Sequence, residues 1–313
     1  MHIETRVVNN RKKYYLAHSY REKDKIRKVR VFLGTDLSES EVAGLVTNAQ
    51  ERLTKRWEQL KAINDPYRTV LSPEELNAIK ELTAAVKVKL VHMSENDWRR
   101  FTEEFTYNTN AIEGSTVSLN EVQNILKQRM WPNRSKEEIS ETLGVAEAVK
   151  YTRATKETFS IELVKKIHKI IFKNSKPFAG KLRQIEVVVT NGSGGVAHRG
   201  VPARDLLSHL RRLKLWYDTN KSVYPPFVLA AVIHNQFENI HPFEDGNGRV
   251  GRLLLINILL KNDLPPIHIE MENRREYYNT LHSYQEQGNL RPTITLMIKE
   301  YKKLWKLRER NYM

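Results

Sequence analysis

The chain has 313 residues, 40% of them hydrophobic and 9% aromatic, with a formal net charge of +15 and no cysteine. This composition excludes a disordered or disulfide-stapled chain, leaves room for a sizeable core, and points to an anionic partner: nucleic acid, a nucleotide or an acidic protein surface. No apolar stretch reaches the roughly 18 residues of a membrane span, and the N-terminus lacks the apolar core of a signal peptide, so the cytoplasm is the expected compartment.

Residues 1–34 are densely basic, and two β-prone runs, 14–20 and 26–33, either side of the polar REKDK predict a small basic β-hairpin ending at Gly34. Val42, Leu45, Val46, Ala49, Leu53, Trp57 and Leu60 then recur at helical spacing, predicting a helix over about 39–63 that NDPYR at 64–68 breaks. Ser72 and Glu75 form a capping box around Pro73 for a helix reaching about His92. The next helix, from Asn96, carries Trp98, Phe101 and Phe105 and runs to TNAIEG at 109–114, where Gly114 stops it. A second capping box, Ser118 with Glu121, opens a helix to about Met130, and helices over 135–154 and 160–174 follow.

Ile185 to Val189 is a β-branched run ahead of the glycine-rich NGSGG, which predicts a solitary β-hairpin amid helices. Two very apolar helices, over 225–240 and from about Gly248 to Lys261, flank the loop HPFEDGN, and helices at about 273–287 and 293–308 close the chain. His168 and His234 sit in apolar helices and read as core histidines. His198 and His209 have no carboxylate or histidine at metal spacing, so no zinc site is expected.

The stretch HPFEDGNGRVGR, His241 to Arg252, carries the chemistry. Gly246 and Gly248 let backbone approach a phosphate, and the N–H groups of the following helix make an anion cradle. Arg249 and Arg252, three apart, share a helical face and suit a polyphosphate. His241, with an ordinary pKa near 6.5, is a candidate general base, and Asp245 can hold Mg2+ through one carboxylate. Base, metal and phosphate clamp together describe phosphoryl or nucleotidyl transfer.

These twelve residues resemble the signature of the Fic family, His-Pro-Phe-x-(Asp/Glu)-Gly-Asn-Gly-Arg-x-x-Arg, at every fixed position. The resemblance extends over about residues 95–300, with AGKLRQIEVVV similar to the strand entering the family's flap and REYYNTL to its adenine-side helix. It implies a mainly α protein: a Fic-type helical bundle with a β-hairpin flap, preceded by the basic hairpin and a helical N-terminal region. The domains expected are a basic module at 1–35, a helical region at 36–94, a catalytic domain at 95–300 and a helix end at 301–313.

The family resemblance implies transfer of AMP from ATP, with Mg2+ bound, to a Ser, Thr or Tyr hydroxyl of a target protein. His241 would deprotonate that hydroxyl, and Asp245 would ligate the metal. Gly246, Asn247, Gly248 and Arg249 would cradle phosphates, and Arg252 would receive the γ-phosphate. A kinase branch of the family carries Lys at the position of Gly248, so Gly favours AMP transfer. Tyr277 and Tyr278 would line the adenine and ribose pocket, although a tyrosine pair at helical spacing also suits a core. Gln285 stands where some relatives bind nucleotide through Asn, and Val188, Val189 and Thr190 of the flap would hold a target segment by strand addition.

TNAIEG resembles the family's inhibitory motif through Thr109, Glu113 and Gly114. Glu113 ends a helix, where the dipole disfavours a carboxylate unless a cation compensates. By the resemblance that cation is Arg252, and the pair blocks the γ-phosphate. In some relatives the same glutamate orients a water that removes AMP, so both directions are implied. Expected partners are a target protein, the chain itself through self-modification, a second copy in a homodimer, and nucleic acid through residues 1–34, but no membrane. The rival reading is a nucleic-acid-binding or regulatory protein acting through its basic N-terminal module.

Overall fold

The computed structural model describes residues 1–22, 25–64, 71–90, 93–190 and 196–309. The polar turn expected at 23–24, the break at 65–68, the helix end at 91–92 and the flap tip at 191–195 lie outside the described residues. Two units make up the chain, Met1–Pro66 and Tyr67–Met313.

In the first unit, strands β1 (His2–Val8), β2 (Arg11–Glu22) and β3 (Lys25–Thr35) pair antiparallel in that order. The expected hairpin is thus a three-stranded sheet. The additional strand exists because Asn9 and Asn10, at φ 51° and 62°, make a two-residue turn closed by Val8 opposite Arg11, and asparagine tolerates that left-handed backbone. One sheet face, through Leu16, Val29 and Val31, packs on Ala49 and Leu53 of α1 (Glu39–Asn64). The opposite face carries Tyr15 against Phe32 at 5.4 Å, and Glu4 there pairs with Arg6, Lys28 and Arg30.

The second unit is helical. Its elements are α2 (Pro73–Leu90), α3 (Glu95–Ile112), α4 (Leu119–Gln123), α5 (Lys136–Ala154) and α6 (Ile161–Phe172), then strands β4 (Val188–Thr190) and β5 (Val196–Arg199). After these come α7 (Leu206–Asn220), α8 (Pro226–Ile240), α9 (Asn247–Leu260), α10 (Arg274–Gln287) and α11 (Arg291–Glu309). Both predicted capping boxes form, Ser72 with Glu75 and Ser118 with Glu121. The helix expected to reach Met130 passes into a π turn over Asn124–Gln128 and stops where Arg129 turns left-handed at φ 52°.

Two further differences have physical causes. The strand expected from Ile185 begins at Val188, because the Ile185 carbonyl is taken by the Arg183 guanidinium at 2.7 Å. No helix is predicted at α7, although Leu206, Leu210, Leu213 and Tyr217 recur at helical spacing and are buried.

Burial is deepest in α8 and α9: every residue from Phe227 to Ile240 is buried, as is every one from Arg249 to Leu259. Helices α3, α5 and α6 pack against α9, and α7, α10 and α11 against α8. The loop between α8 and α9 therefore starts and ends on the two most firmly held elements of the unit. Where α5 meets α6, Gly144 lies so close to its neighbour that a Cβ there would stand 2.1 Å from the Ile171 carbonyl oxygen. Among the described residues, no helix is long and apolar enough to cross a membrane.

Candidate active site

His241 ends α8 in a left-handed conformation, φ 52° and ψ 63°, which turns the chain sharply out of the helix. Its backbone is fixed by Arg183, whose Nε donates to the His241 carbonyl at 2.7 Å while its other nitrogens donate to the carbonyls of Ile185 and Val201. The Arg183 N–H also donates to the Pro242 carbonyl at 3.0 Å, and Val201 N–H to the Ile240 carbonyl at 3.2 Å. This buried arginine ties the base of the β4–β5 hairpin to the loop that follows α8, a role sequence reading missed, since a single arginine in KLRQI carries no signal of its own.

The His241 Nδ1 faces the Glu238 carbonyl at 3.4 Å, which leaves Nε2 with its lone pair. Burial first, then the neighbouring His198 imidazole and Arg183 charge, push the His241 pKa down to about 4. The ring is therefore neutral at pH 7 and able to accept a proton. His198, from β5, lies with its ring 6.3 Å from that of His241 and anchors through Nε2 to the Asn239 carbonyl at 2.9 Å.

Asn247 closes the loop on itself: its side-chain amide accepts from Phe243 N–H and donates to the Phe243 carbonyl, each at 2.9 Å. Gly246, at φ +80°, has no room for a side chain, since a Cβ would stand 2.2 Å from the Phe172 ring. The first intrahelical bond of α9 runs from Val250 N–H to the Gly246 carbonyl. The N–H groups of Asn247, Gly248 and Arg249 precede it, and these are the groups a helix N-terminus offers an anion.

Asp245 lies beside them, its carboxylate 45% exposed and within 3.4 Å of both Lys176 and Arg249. Burial opposes its ionisation, but Arg249 and Lys176 outweigh it and hold the pKa below the ordinary carboxylate value. One ionised, half-exposed carboxylate fits a Mg2+ ion that draws its remaining ligands from phosphates and water. His168 is a core histidine, as expected: Nδ1 accepts from Gly180 N–H at 2.7 Å and Nε2 donates to the Asp245 carbonyl at 3.1 Å.

The two arginines part company. Arg249 stacks over the Phe172 ring at 4.5 Å and pairs with Glu141 on α5. Arg252 is 3% exposed and fully engaged: Nε donates to the Thr109 hydroxyl at 2.7 Å and Nη1 to the Tyr277 hydroxyl at 3.2 Å. Its Nη2 donates to the Thr109 carbonyl at 3.1 Å and to Glu113 Oε1 at 2.6 Å. Glu113 caps α3, and Gly114 follows at φ +97°. Gly248 faces the pair, since a Cβ on it would stand 2.1 Å from Glu113 Oε1 and 3.1 Å from Arg252 Nη1.

Tyr277 is buried, donating from its hydroxyl to His234 Nε2 at 3.1 Å, whereas Tyr278 is half-exposed and bonds the Ile112 carbonyl at 3.2 Å. Gln285 lies two turns further along α10, about 12 Å along its axis, so the structure does not bring it into this cluster. Val188 is exposed on β4, pairing with Arg199; Val189 pairs with His198 and Thr190 with Val196.

The sequence model of the Fic/DOC family matches residues 158–259, which include the whole loop. The chain carries a Fic domain. Among solved structures it is similar to Fic-1 (aa134 - 508) of C. elegans, at 25% identity and TM-score 0.63 over 89% of this chain and 78% of that one. It is also similar to a Fic domain containing signaling protein of Bacteroides thetaiotaomicron, at 25% identity and TM-score 0.61 over 70% and 85%. The protein adenylyltransferase Fic of Nematostella vectensis is 33% identical over 195 residues, 60% of this chain and 44% of that protein. The protein adenylyltransferase fic-1 of Caenorhabditis briggsae is 30% identical over 253 residues, 77% and 48%. The chain thus spans less than half the length of these curated relatives. The helical bundle with a flap hairpin is the Fic fold, as the signature led one to expect.

Proposed function

We propose that this chain transfers AMP from ATP to a hydroxyl side chain of a target protein and restrains itself through Glu113. The observation that carries this reading is the Arg252–Glu113 pair at 2.6 Å, set beside an imidazole that is neutral at pH 7. His241 Nε2 takes the proton of the target hydroxyl, whose oxygen bonds to the α-phosphorus of ATP as the bond to pyrophosphate breaks. Asp245 would hold Mg2+, which neutralises phosphate charge when bound. The N–H groups opening α9 bind phosphate oxygens, and Arg252 receives the γ-phosphate once Glu113 leaves it. Val188 to Thr190 present an open strand to the target segment, and Tyr278, half-exposed, forms the adenine side. Support for this activity comes also from the relatives named as protein adenylyltransferases.

Glu113→Gly tests the restraint. ATP and Glu113 compete for one guanidinium, and 1.4 kcal/mol is a tenfold shift in binding, so self-labelling with α-labelled ATP should rise about tenfold or more. Adding Arg252→Ala should abolish the gain. Labelling of Glu113→Gly at the unaltered level, with ATP still bound, would show that TNAIEG is an ordinary helix end.

A second reading has one observation behind it: the sheet face of the first unit that does not pack on α1 presents Arg6, Lys28 and Arg30 around Tyr15 and Phe32, a surface suited to phosphate and bases. Binding of residues 1–66 to DNA or RNA that weakens steeply with salt would support it. Binding that is absent at low salt would remove it.

A further inference from the structure

Helix α8 is buried along its length, yet it carries a carboxyl group. Glu238 is 6% exposed, and its Oε1 is buried without a hydrogen-bond partner. It faces Gly251 of α9, where a Cβ would stand 2.3 Å from Glu238 Oε1 and 3.1 Å from His234 Nδ1. That imidazole nitrogen is likewise buried and unpartnered. Two orphaned polar atoms therefore share the face that a glycine leaves open.

From there a line of contacts runs outward. His234 Nε2 accepts from the Tyr277 hydroxyl at 3.1 Å, that hydroxyl accepts from Arg252 Nη1 at 3.2 Å, and Arg252 Nη2 donates to Glu113 at 2.6 Å. Glu238 stands at the inner end of this line and Glu113 at the outer end, with one guanidinium between two carboxyl groups. Only one of them has a direct bond to it.

Resting on the reading that the γ-phosphate of ATP takes the place of Glu113 on Arg252, we infer that Glu238 is a positioning residue that must hold its proton for that exchange. Neutral, it leaves the Arg252 charge to a single outer anion; ionised, it compensates the guanidinium from within and weakens the hold on the γ-phosphate. Burial pushes its pKa up to about 8, the Arg252 charge opposing and the Glu113 charge adding to the rise. The other titratable groups at this end of the site are silent there. His234 and His241 are held at about 4, chiefly by burial, and the Tyr277 hydroxyl is raised well above its ordinary value. Binding of ATP to a chain freed of Glu113 should thus draw a proton onto Glu238 at alkaline pH.

Calorimetric titration of Mg-ATP into the 313-residue chain carrying Glu113→Gly, from pH 7.5 to 9.5 in buffers of different ionisation enthalpy, tests this. The dissociation constant should weaken roughly tenfold across that range as the competent fraction falls, with proton uptake visible as a buffer-dependent heat. In Glu113→Gly, Glu238→Gln both effects should vanish. Should that variant fail to fold, the 13C carboxyl resonance of Glu238 in Glu113→Gly supplies the answer, since it must titrate well above the ordinary 4.5 of a carboxyl group, though below the parent chain now that the Glu113 charge is gone, and move to higher pH with ATP. Equal pH dependence in the two variants, or a Glu238 resonance that titrates near pH 4.5, overturns the inference. Absence of ATP binding at every pH overturns instead the reading beneath it.

Discussion

Gly246 shows how a single residue sets the loop. Its φ of +80° and the Phe172 ring behind it both forbid a side chain. Gly246→Ala should cost roughly 1–3 kcal/mol of stability through overpacking and the left-handed backbone. Urea unfolding reads that loss, and ATP binding should weaken alongside it, because the N–H groups of α9 start from this residue. A midpoint unchanged from the parent chain would show that the ring moves aside freely. At this scale much was legible: His241, Asp245, Gly246 and Arg252 were named from one stretch, because a fixed spacing of imidazole, carboxylate and guanidinium serves few purposes but anion chemistry. Arg183, Glu238 and the side chain of Asn247 were not, because each acts on groups distant in sequence or on the backbone, and local spacing is blind to both.

At the scale of elements, the site depends on how closely α5 and α6 approach. Helix α6 brings His168, which bonds the Asp245 carbonyl, and Phe172, which supports Arg249; α5 brings Glu141 to the same arginine. The pair is held together at Gly144, where backbone meets backbone. Gly144→Ala would put a methyl group 2.1 Å from the Ile171 carbonyl oxygen, a rigid neighbour, so it should destabilise by about 1–3 kcal/mol or more and loosen ATP binding as the two helices separate. Wild-type melting together with wild-type affinity would contradict this account. Helix boundaries followed from caps, since Ser-x-x-Glu pairs satisfy donors locally. Strand β1 and helix α7 escaped notice because the Asn-Asn turn and a leucine spacing interrupted by arginines are weaker signals than glycine and proline.

For the whole molecule, buried titratable groups pull stability in opposite directions with pH. His168, His234 and His241 are held at about 4, below their ordinary 6.5, by burial first. The unfolded chain therefore binds more protons between those values, and their contribution, present above pH 6.5, is lost as pH falls toward 4. Glu238, raised to about 8 from 4.5 by burial, acts the other way: its contribution is present below pH 4.5 and is lost as pH rises toward 8. Each group acts with a slope of about 1.4 kcal/mol per pH unit. Three histidines outweigh one carboxyl group between 4.5 and 6.5, and above 6.5 the carboxyl acts unopposed by them. The melting temperature should therefore peak near pH 6.5, and Glu238→Gln should flatten the alkaline limb. A melting temperature that climbs steadily from pH 6.5 to 8 would contradict both assignments.

Gly248 has a further consequence, in terms of inheritance. A methyl group there would stand 2.1 Å from Glu113 Oε1 and 3.1 Å from Arg252 Nη1. Every glycine codon becomes an alanine codon by a single base change, so one step can crowd Glu113 off the guanidinium without touching the glutamate or the arginine. The same methyl would stand where the proposed exchange puts a γ-phosphate oxygen, so that step closes the position to nucleotide as well. Only glycine leaves that space, and a lineage that keeps either the proposed restraint or its release must keep this one residue.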